Sequence, residues 1–468
     1  MERIHRHPSC DEAVVSCGED ARLTYAGLCR QIERCARSLG NLPRPALVFQ
    51  RTTNRCGSLI AYLACRMLRL PLALLDDEPR TLEKLVADYG PTAVLSPSEH
   101  PPLGGYHPHA QLPFDYRLDR LAECRAYPVD VAPELQLLLA TSGSTGNAKL
   151  VRLSEANLNA NAESIVAYLG IRRDDRSIQS LPMQYSYGLS LVNSHLWAGG
   201  TVVFSPHSFI RPEFWSDVDD ERCTSFAGVP YIYQTLHRLR FDAARHPTLH
   251  TLTQAGGSLR PDLIQHYHEM ALRGGQRFFV MYGQTEATAR ISYVPPDRLG
   301  EKLGAIGVPI PGGSMRLEPL PNGPSSQVQL VYEGPNVMLG YARSRQDLMP
   351  GDQLGGVLRT GDLARVDEDG FFHLCGRLKR IAKLYGRRLS LADVEHEVEQ
   401  EFHVSAAVVE GENQIIVFVE RAAMMRRTVI RQHLAKSLAV PPAAVKVEGV
   451  DTIPLTTSGK KDYTALVA

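Results

Sequence analysis

The chain has 468 residues, 44% hydrophobic and 22% charged, the proportions of a globular protein with length for roughly two to four packing units. Its 51 basic residues balance 51 acidic ones, and a zero formal charge argues against a dedicated nucleic-acid binder. No apolar run approaches the ~18–20 residues that span a bilayer, and Met1–His7 lacks the apolar core of a signal peptide, so a cytoplasmic chain with no membrane contact is expected.

Residues 21–40 place apolar side chains at helical spacing, with Thr24 as N-cap and Gly40 as stop signal. A strand over 46–50, a helix over 57–68, a strand over 70–75, a helix over 81–89 and a strand over 92–96 follow. Such alternation with short connections predicts parallel strands in an α/β sheet. The Pro- and His-rich stretch 97–132 reads as a surface connection. Residues 136–154 read as strand, Gly/Ser/Thr loop and second strand, and strands recur at 201–205, 224–230, 252–257 and 277–283. From about 300 to 375, Gly, Pro and short alternating runs predict a β-rich subdomain. The tail carries a helix over 391–402, strands over 406–411 and 414–420, a helix over 424–438 and a strand near 444–450, a small α+β domain.

Nine cysteines, an odd number without a C-x-x-C pair, read as reduced and structural. Sixteen histidines show no metal-ligand spacing. The chain holds nine lysines against 42 arginines. Where Arg supplies the generic positive charge, a Lys that persists is a candidate for work needing a compact, mobile ammonium.

The densest local signal is Thr141-Ser142-Gly143-Ser144-Thr145-Gly146-Asn147-Ala148-Lys149, directly after the apolar run Leu137–Ala140. Glycines let backbone N–H groups curl inward as an anion nest, the hydroxyls add donors and Lys149 adds charge, a combination suited to a polyphosphate. It is not a Walker A loop, which has a different glycine spacing and leads into a helix.

This segment resembles the phosphate-loop signature of the adenylate-forming superfamily, which includes acyl-CoA synthetases, peptide-synthetase adenylation domains and luciferases. Ala148 stands where that loop usually has Pro. Four more segments resemble the superfamily's motifs, in its order: Tyr282-Gly283-Gln284-Thr285-Glu286, Thr360-Gly361-Asp362, Gly376–Gly386 and Pro454–Lys460. The resemblance covers about residues 20 to 463. It implies an α/β large domain over 1–375, built of two doubly wound sheet layers and a β-rich subdomain. A hinge over 376–380 with Lys379 at its pivot and a mobile α+β lid over 381–468 complete the expected organisation.

The resemblance also implies site roles. Tyr282 stacks on adenine, Thr285 touches the α-phosphate, Glu286 helps hold Mg²⁺, and Asp362, with Arg377 nearby, accepts the ribose hydroxyls. Gly256 joins the ATP-binding set. Lys460 serves the first half-reaction, in which a carboxylate attacks ATP to give acyl-AMP and pyrophosphate. Lys383 lies on the loop that faces the site in the second half, when a thiol or amine takes the acyl group. Lys149, Lys379, Lys383 and Lys460 all fall on motif positions.

The acyl pocket is expected near Tyr185, Tyr187, Gly188, Gly228 and Gly257. Adenylation domains for α-amino acids usually place Asp where this chain has Gln184-Tyr185-Ser186-Tyr187, so an acyl or aryl acid is expected as the small-molecule substrate. CoA is the first choice of acceptor. The alternatives are the phosphopantetheine of a separate acyl carrier protein and an amine. A degenerate nucleotide-binding homologue is disfavoured because Lys460, Glu286 and Asp362 are all present.

Overall fold

The computed structural model describes residues 15–16, 22–121, 131–140, 149–320, 328–378, 380–384, 387–411, 414–438, 440–456 and 459–466. The phosphate-loop residues Thr141–Gly146 and the hinge lysine Lys379 therefore lie outside the described residues. Lys383 is placed by its backbone alone.

Two large sheets organise the chain. One has eight strands, with Leu135–Ala140, Leu72–Leu75, Val48–Arg51 and Ala93–Pro97 parallel at its centre. The other has nine, with Thr201–Val203, Arg176–Ile178, Ser225–Gly228, Thr251–Gln254 and Arg277–Tyr282 parallel. Parallel strands need helical crossovers, and strands covered on both faces become uniformly apolar. The central strands Val48–Arg51 and Leu72–Leu75 are accordingly buried at every position.

The helices Cys56–Met67 and Ser186–Ala198 share one core with the helix Tyr25–Leu39. Cys56–Met67 is buried from Cys56 through Arg66, as expected of a helix covered all round. Tyr25–Leu39 instead buries one stripe, and the Thr24 hydroxyl accepts from the Gly27 amide at 3.1 Å as the expected N-cap.

The segment read as a surface connection is partly a hairpin. Tyr106–Leu112 and Tyr116–Leu121 pair antiparallel and extend the eight-stranded sheet from Ala93–Pro97. Two features hid it. Tyr106–Leu112 buries only its end residues, and a register shift between Pro108 and Ala110 breaks the alternation. The turn passes through Phe114 and Asp115, both at positive φ.

A four-stranded antiparallel sheet follows, Ser314–Pro319, Val328–Glu333, Val357–Val366 and Phe372–Arg377. The C-terminal part has its own core, with the helix Leu391–Phe402 on a three-stranded sheet of Ala406–Gly411, Gln414–Glu420 and Val445–Val450. Among the described residues no helix is long and apolar enough to cross a membrane. Cys29, Cys35, Cys65, Cys223 and Cys375 are free, whereas Cys56 is disulfide-bonded, so the expectation of nine reduced thiols does not hold. An odd count leaves room for a bridge.

Candidate active site

The parallel strands Ser225–Gly228, Thr251–Gln254 and Arg277–Tyr282 end side by side. In an open α/β sheet the crevice outside such carboxyl ends is where ligands collect. Val229, Ala255-Gly256-Gly257 and Gly283–Glu286 continue from these ends.

Tyr282 closes its strand and donates its hydroxyl to Asp362 Oδ2. Asp362 lies directly across the antiparallel ladder from Arg377, so sheet register sets their ion pair, Nε to Oδ1 at 2.6 Å. Gln284 donates to the Tyr282 hydroxyl at 3.2 Å and to the Thr360 carbonyl at 3.3 Å. Burial, reinforced by Asp362, holds the Tyr282 phenol well above its usual range. Burial works against the Arg377 charge, but Asp362 outweighs it and raises the pKa.

A second cluster joins Lys149, Tyr341 and Glu286. Tyr341 pairs with Val151 across the ladder between Gly340–Ala342 and Leu150–Ser154. That register brings its ring beneath the Lys149 ammonium, 3.3 Å from Nζ to the centroid. The Tyr341 hydroxyl donates to Glu286 Oε1 at 2.7 Å, and burial followed by the Glu286 charge raises its pKa. Tyr341 thus ties the loop lysine to the motif glutamate. Thr285 exchanges a hydrogen bond with Ser186 at 3.2 Å, linking the same turn to the helix Ser186–Ala198.

Lys460 enters from the C-terminal part. The Gly459 amide donates to the Thr456 carbonyl at 2.8 Å, closing a turn in which Gly459 has φ of 74°. A Cβ on Gly459 would stand 2.7 Å from Val229 Cγ2, so only glycine lets the turn lean on the strand end. Lys460 Nζ lies 5.3 Å from the Tyr185 ring centroid. Burial and the Arg377 charge lower its pKa, and Glu286 and Asp362 only partly offset them. Lys461 anchors the turn on its other side, with Nζ donating to Glu395, Glu399 and the Ala406 carbonyl, each at 2.6 Å.

The expected pocket residues have individual surroundings. Tyr185 and Tyr187 meet edge to face at 6.3 Å, and burial pushes the Tyr185 phenol up to about 12. Tyr187 is a core residue, donating to the Thr253 carbonyl at 3.0 Å. Gly256, at φ of 88°, has the Tyr185 hydroxyl where a Cβ would go. Gly188 packs against the Pro182 carbonyl, Gly228 against Tyr233, and Gly257 against Pro230. Packing alone leaves no room for a side chain at Gly188 or Gly228, whereas the contact at Gly257 is looser.

Sequence reasoning missed Tyr341, Arg290 and Asn336. Asn336 Nδ2 donates to the Ala287 and Arg290 carbonyls, both at 2.8 Å, and its carbonyl accepts from the Thr288 hydroxyl at 2.6 Å. It fixes the turn after Glu286, where Thr288 and Ala289 take φ of 61° and 152°. Two consecutive non-glycine residues in this region store strain of roughly 1–3 kcal/mol each, a feature that clusters at functional sites.

Residues 2–342 match the family described as AMP-binding enzyme. A feruloyl-CoA synthase from Amycolatopsis sp is 29% identical over 476 residues, covering 94% of this chain and 92% of the relative. A 2-succinylbenzoate–CoA ligase from Bacillus licheniformis is 28% identical over 409 residues, covering 84% and 82%. Among solved structures, the o-succinylbenzoate CoA synthetase MenE from Bacillus subtilis, in complex with its acyl-adenylate intermediate, superimposes with a TM-score of 0.78 at 22% identity, covering 99% of this chain and 97% of that one.

Proposed function

Because the chain belongs to the AMP-binding enzyme family, we propose that the cluster of Asp362, Glu286 and Lys460 carries an ATP-dependent ligation of a carboxylic acid to CoA. The protein is an adenylate-forming ligase. The acid's carboxylate attacks the α-phosphorus of ATP and expels pyrophosphate. The CoA thiol then attacks the acyl carbon of acyl-AMP, loses its proton and releases AMP. The named relatives join their acids to CoA, which favours CoA over a carrier-protein phosphopantetheine or an amine.

The observation that carries the reading is the place of Lys460. A half-buried ammonium from the C-terminal part shares its electrostatic neighbourhood with Arg377, Glu286 and Asp362. Carboxylate and triphosphate repel each other, so the first half-reaction needs preorganised positive charge and positioning. Lys460 and Lys149 supply that charge, with the 141–146 loop adding donors. Asp362 holds the ribose, with Arg377 beside it, and the Tyr282 ring faces the adenine.

Glu286 suits a Mg²⁺ ion bound mainly by phosphate oxygens and water. Tyr341 occupies its Oε1, and no three-ligand cage forms among the described residues. Such an ion would neutralise charge on the phosphates. Residues 381–468 act as a lid that turns about 376–380 between the half-reactions, exchanging Lys460 for Lys383.

The test is acid-dependent pyrophosphate exchange over a panel of carboxylic acids, followed by CoA, acyl carrier protein or amine with mass detection. Exchange plus an acyl-CoA product supports the reading. An acyl-carrier or amide product alone would reassign the acceptor, and absence of exchange with every acid would remove the enzyme reading.

A further inference from the structure

Arg290 is 1% exposed, yet it forms no ion pair among the described residues. The other buried arginines each find acceptors for part of the fork, Arg345 through the Tyr89 and Gly90 carbonyls. Arg66 pairs with Glu155 at 2.6 Å, Arg51 with Asp77 at 2.5 Å, and Arg152 donates to Gln353 and to backbone carbonyls. Among the described residues Arg290 Nε has no acceptor, as is true of Arg152 Nε and Arg345 Nε, but Arg290 lacks the carbonyl and carboxamide partners that those two keep. Its guanidinium carbon lies 4.1 Å from the Tyr187 ring centroid, and the Tyr168 hydroxyl is a hydrogen-bonding neighbour. A ring face and a phenol compensate a buried cation only in part, because a charge taken out of water needs an anionic or fully hydrogen-bonded partner.

The position of this cation is specific. Lys460 lies over Tyr185, Tyr185 meets Tyr187 edge to face, and Tyr187 lies under Arg290. Two tyrosines therefore separate the ammonium assigned to the reacting carboxylate from a second, unanswered positive charge. The backbone that presents Arg290 is held in the strained conformation at Thr288 and Ala289 and clamped by Asn336. A side chain fixed so firmly costs little further entropy when it binds.

We propose that Arg290 recognises a second oxyanion group on the acid substrate, a carboxylate or sulfonate at the end remote from the carboxyl that is adenylated. This rests on the adenylation reading and names its substrate class. The planar fork of Arg takes such a group in two parallel N–H···O bonds. The reacting carboxylate goes to the Lys460 end and the second oxyanion to the Tyr187–Arg290 end, so the substrate is a diacid held at both ends.

The test uses the intact enzyme and matched acid pairs. Aliphatic and aromatic dicarboxylates, and the corresponding sulfonates, are compared in pyrophosphate exchange with the monomethyl esters and the plain monoacids of equal length. The wild type should favour at least one dianionic acid over its ester by about 10–100-fold in kcat/KM, the range of a charge-assisted pair. Arg290→Met should collapse that preference to within a few-fold, and Arg290→Lys should recover part of it. The preference is a ratio, so a loss of folded enzyme does not alter it, and the wild-type comparison needs no variant. Monoacids used as well as or better than every dianionic partner would overturn the proposal while leaving adenylation intact. Preference unchanged in Arg290→Met would also overturn it, leaving Arg290 a packing residue. No exchange with any acid would instead strike the adenylation reading itself.

Discussion

Arg377 and Asp362 face each other across one antiparallel rung, the carboxylate buried at 4% side-chain exposure and the guanidinium 53% exposed. Arg377 holds one Asp362 oxygen and Tyr282 the other, so the proposed ribose acceptor is already oriented from both sides. A carboxylate offers about four lone-pair sites, leaving capacity for two ribose hydroxyls. Asp362→Ala should weaken ATP binding about 10–100-fold, since each charge-assisted hydrogen bond contributes about 1.5–3 kcal/mol. Arg377→Met should have a smaller effect, because it removes an orienting partner and leaves the acceptor. Calorimetric titration with ATP checks both, and equal affinities for Asp362→Ala and wild type would reject the ribose assignment.

Tyr341 holds Lys149 and Glu286 by two different means, its ring and its hydroxyl. Tyr341→Phe keeps the ring and removes the hydrogen bond to Glu286. Its first half-reaction should fall roughly tenfold, from loss of one hydrogen bond to a charged group. Tyr341→Leu also removes the cation–π contact, worth about 0.5–2 kcal/mol, and should be slower still. Single-turnover formation of acyl-AMP separates them, and equal rates for the two variants would show that the ring contact is idle.

The lowered pKa of Lys460 has a definite pH signature. The working form is the ammonium, present below that pKa. The first half-reaction should therefore fall as pH rises, at a pH below the ordinary lysine value of ~10.4. The sign for stability is opposite. With its pKa lowered on folding, the unfolded chain binds more protons, so this group's contribution to stability rises with pH between the folded and unfolded values. At neutral pH the partly desolvated charge is a cost, and Lys460→Met should melt no lower than wild type while losing exchange activity. A large drop in melting temperature for Lys460→Met would contradict the direction of the shift.

Gly256 and Gly257 are adjacent but differ in tolerance. A Cβ on Gly256 would strike the Tyr185 hydroxyl and stand 3.0 Å from Val229 Cγ1, on a backbone at φ of 88°. A Cβ on Gly257 would stand 3.2 Å from the Pro230 ring and requires only a small shift. Gly256→Ala should cost about 1–3 kcal/mol of stability and displace Tyr185, raising KM for the acid. Gly257→Ala should stay closer to wild type. Denaturant titration and acid KM values measure the contrast, and equal effects would mean that Tyr185 yields freely.

Much of this site was legible because its residues sit in contiguous motifs. Tyr282, Glu286, Asp362 and Lys460 each lie within a short signature, and the strand–helix alternation located the sheets that carry them. The missed residues depend on register between distant segments. Tyr341 reaches Glu286 only because Gly340–Ala342 pairs with Leu150–Ser154, an antiparallel edge that no local pattern announces. Arg290 lies four residues beyond Glu286, but in a chain with 42 arginines one more carries no signal until its burial is known. The hairpin at Tyr106–Leu121 was lost because an exposed strand with a bulge has little alternation to read.

The two lysines of the C-terminal part offer the sharpest test of a lid with two working faces. Lys460 stands over Tyr185 at the tip of a turn that touches Val229. Lys383 lies on the strand Ile381–Leu384, opposite Arg388 in a separate two-stranded ladder. If the lid turns between half-reactions, each lysine serves one of them. Lys460→Ala should lower acid-dependent pyrophosphate exchange by about 10²–10³, the effect of losing one preorganised donor, yet still transfer the acyl group from supplied acyl-AMP to CoA. Lys383→Ala should spare exchange and slow transfer. Lys379→Pro, by fixing φ at the proposed pivot, should likewise spare exchange and slow transfer, because it acts on the conformational step. Surface lysines on a rigid C-terminal part predict near-wild-type rates in both half-reactions for all three variants, and that outcome would end the two-face lid.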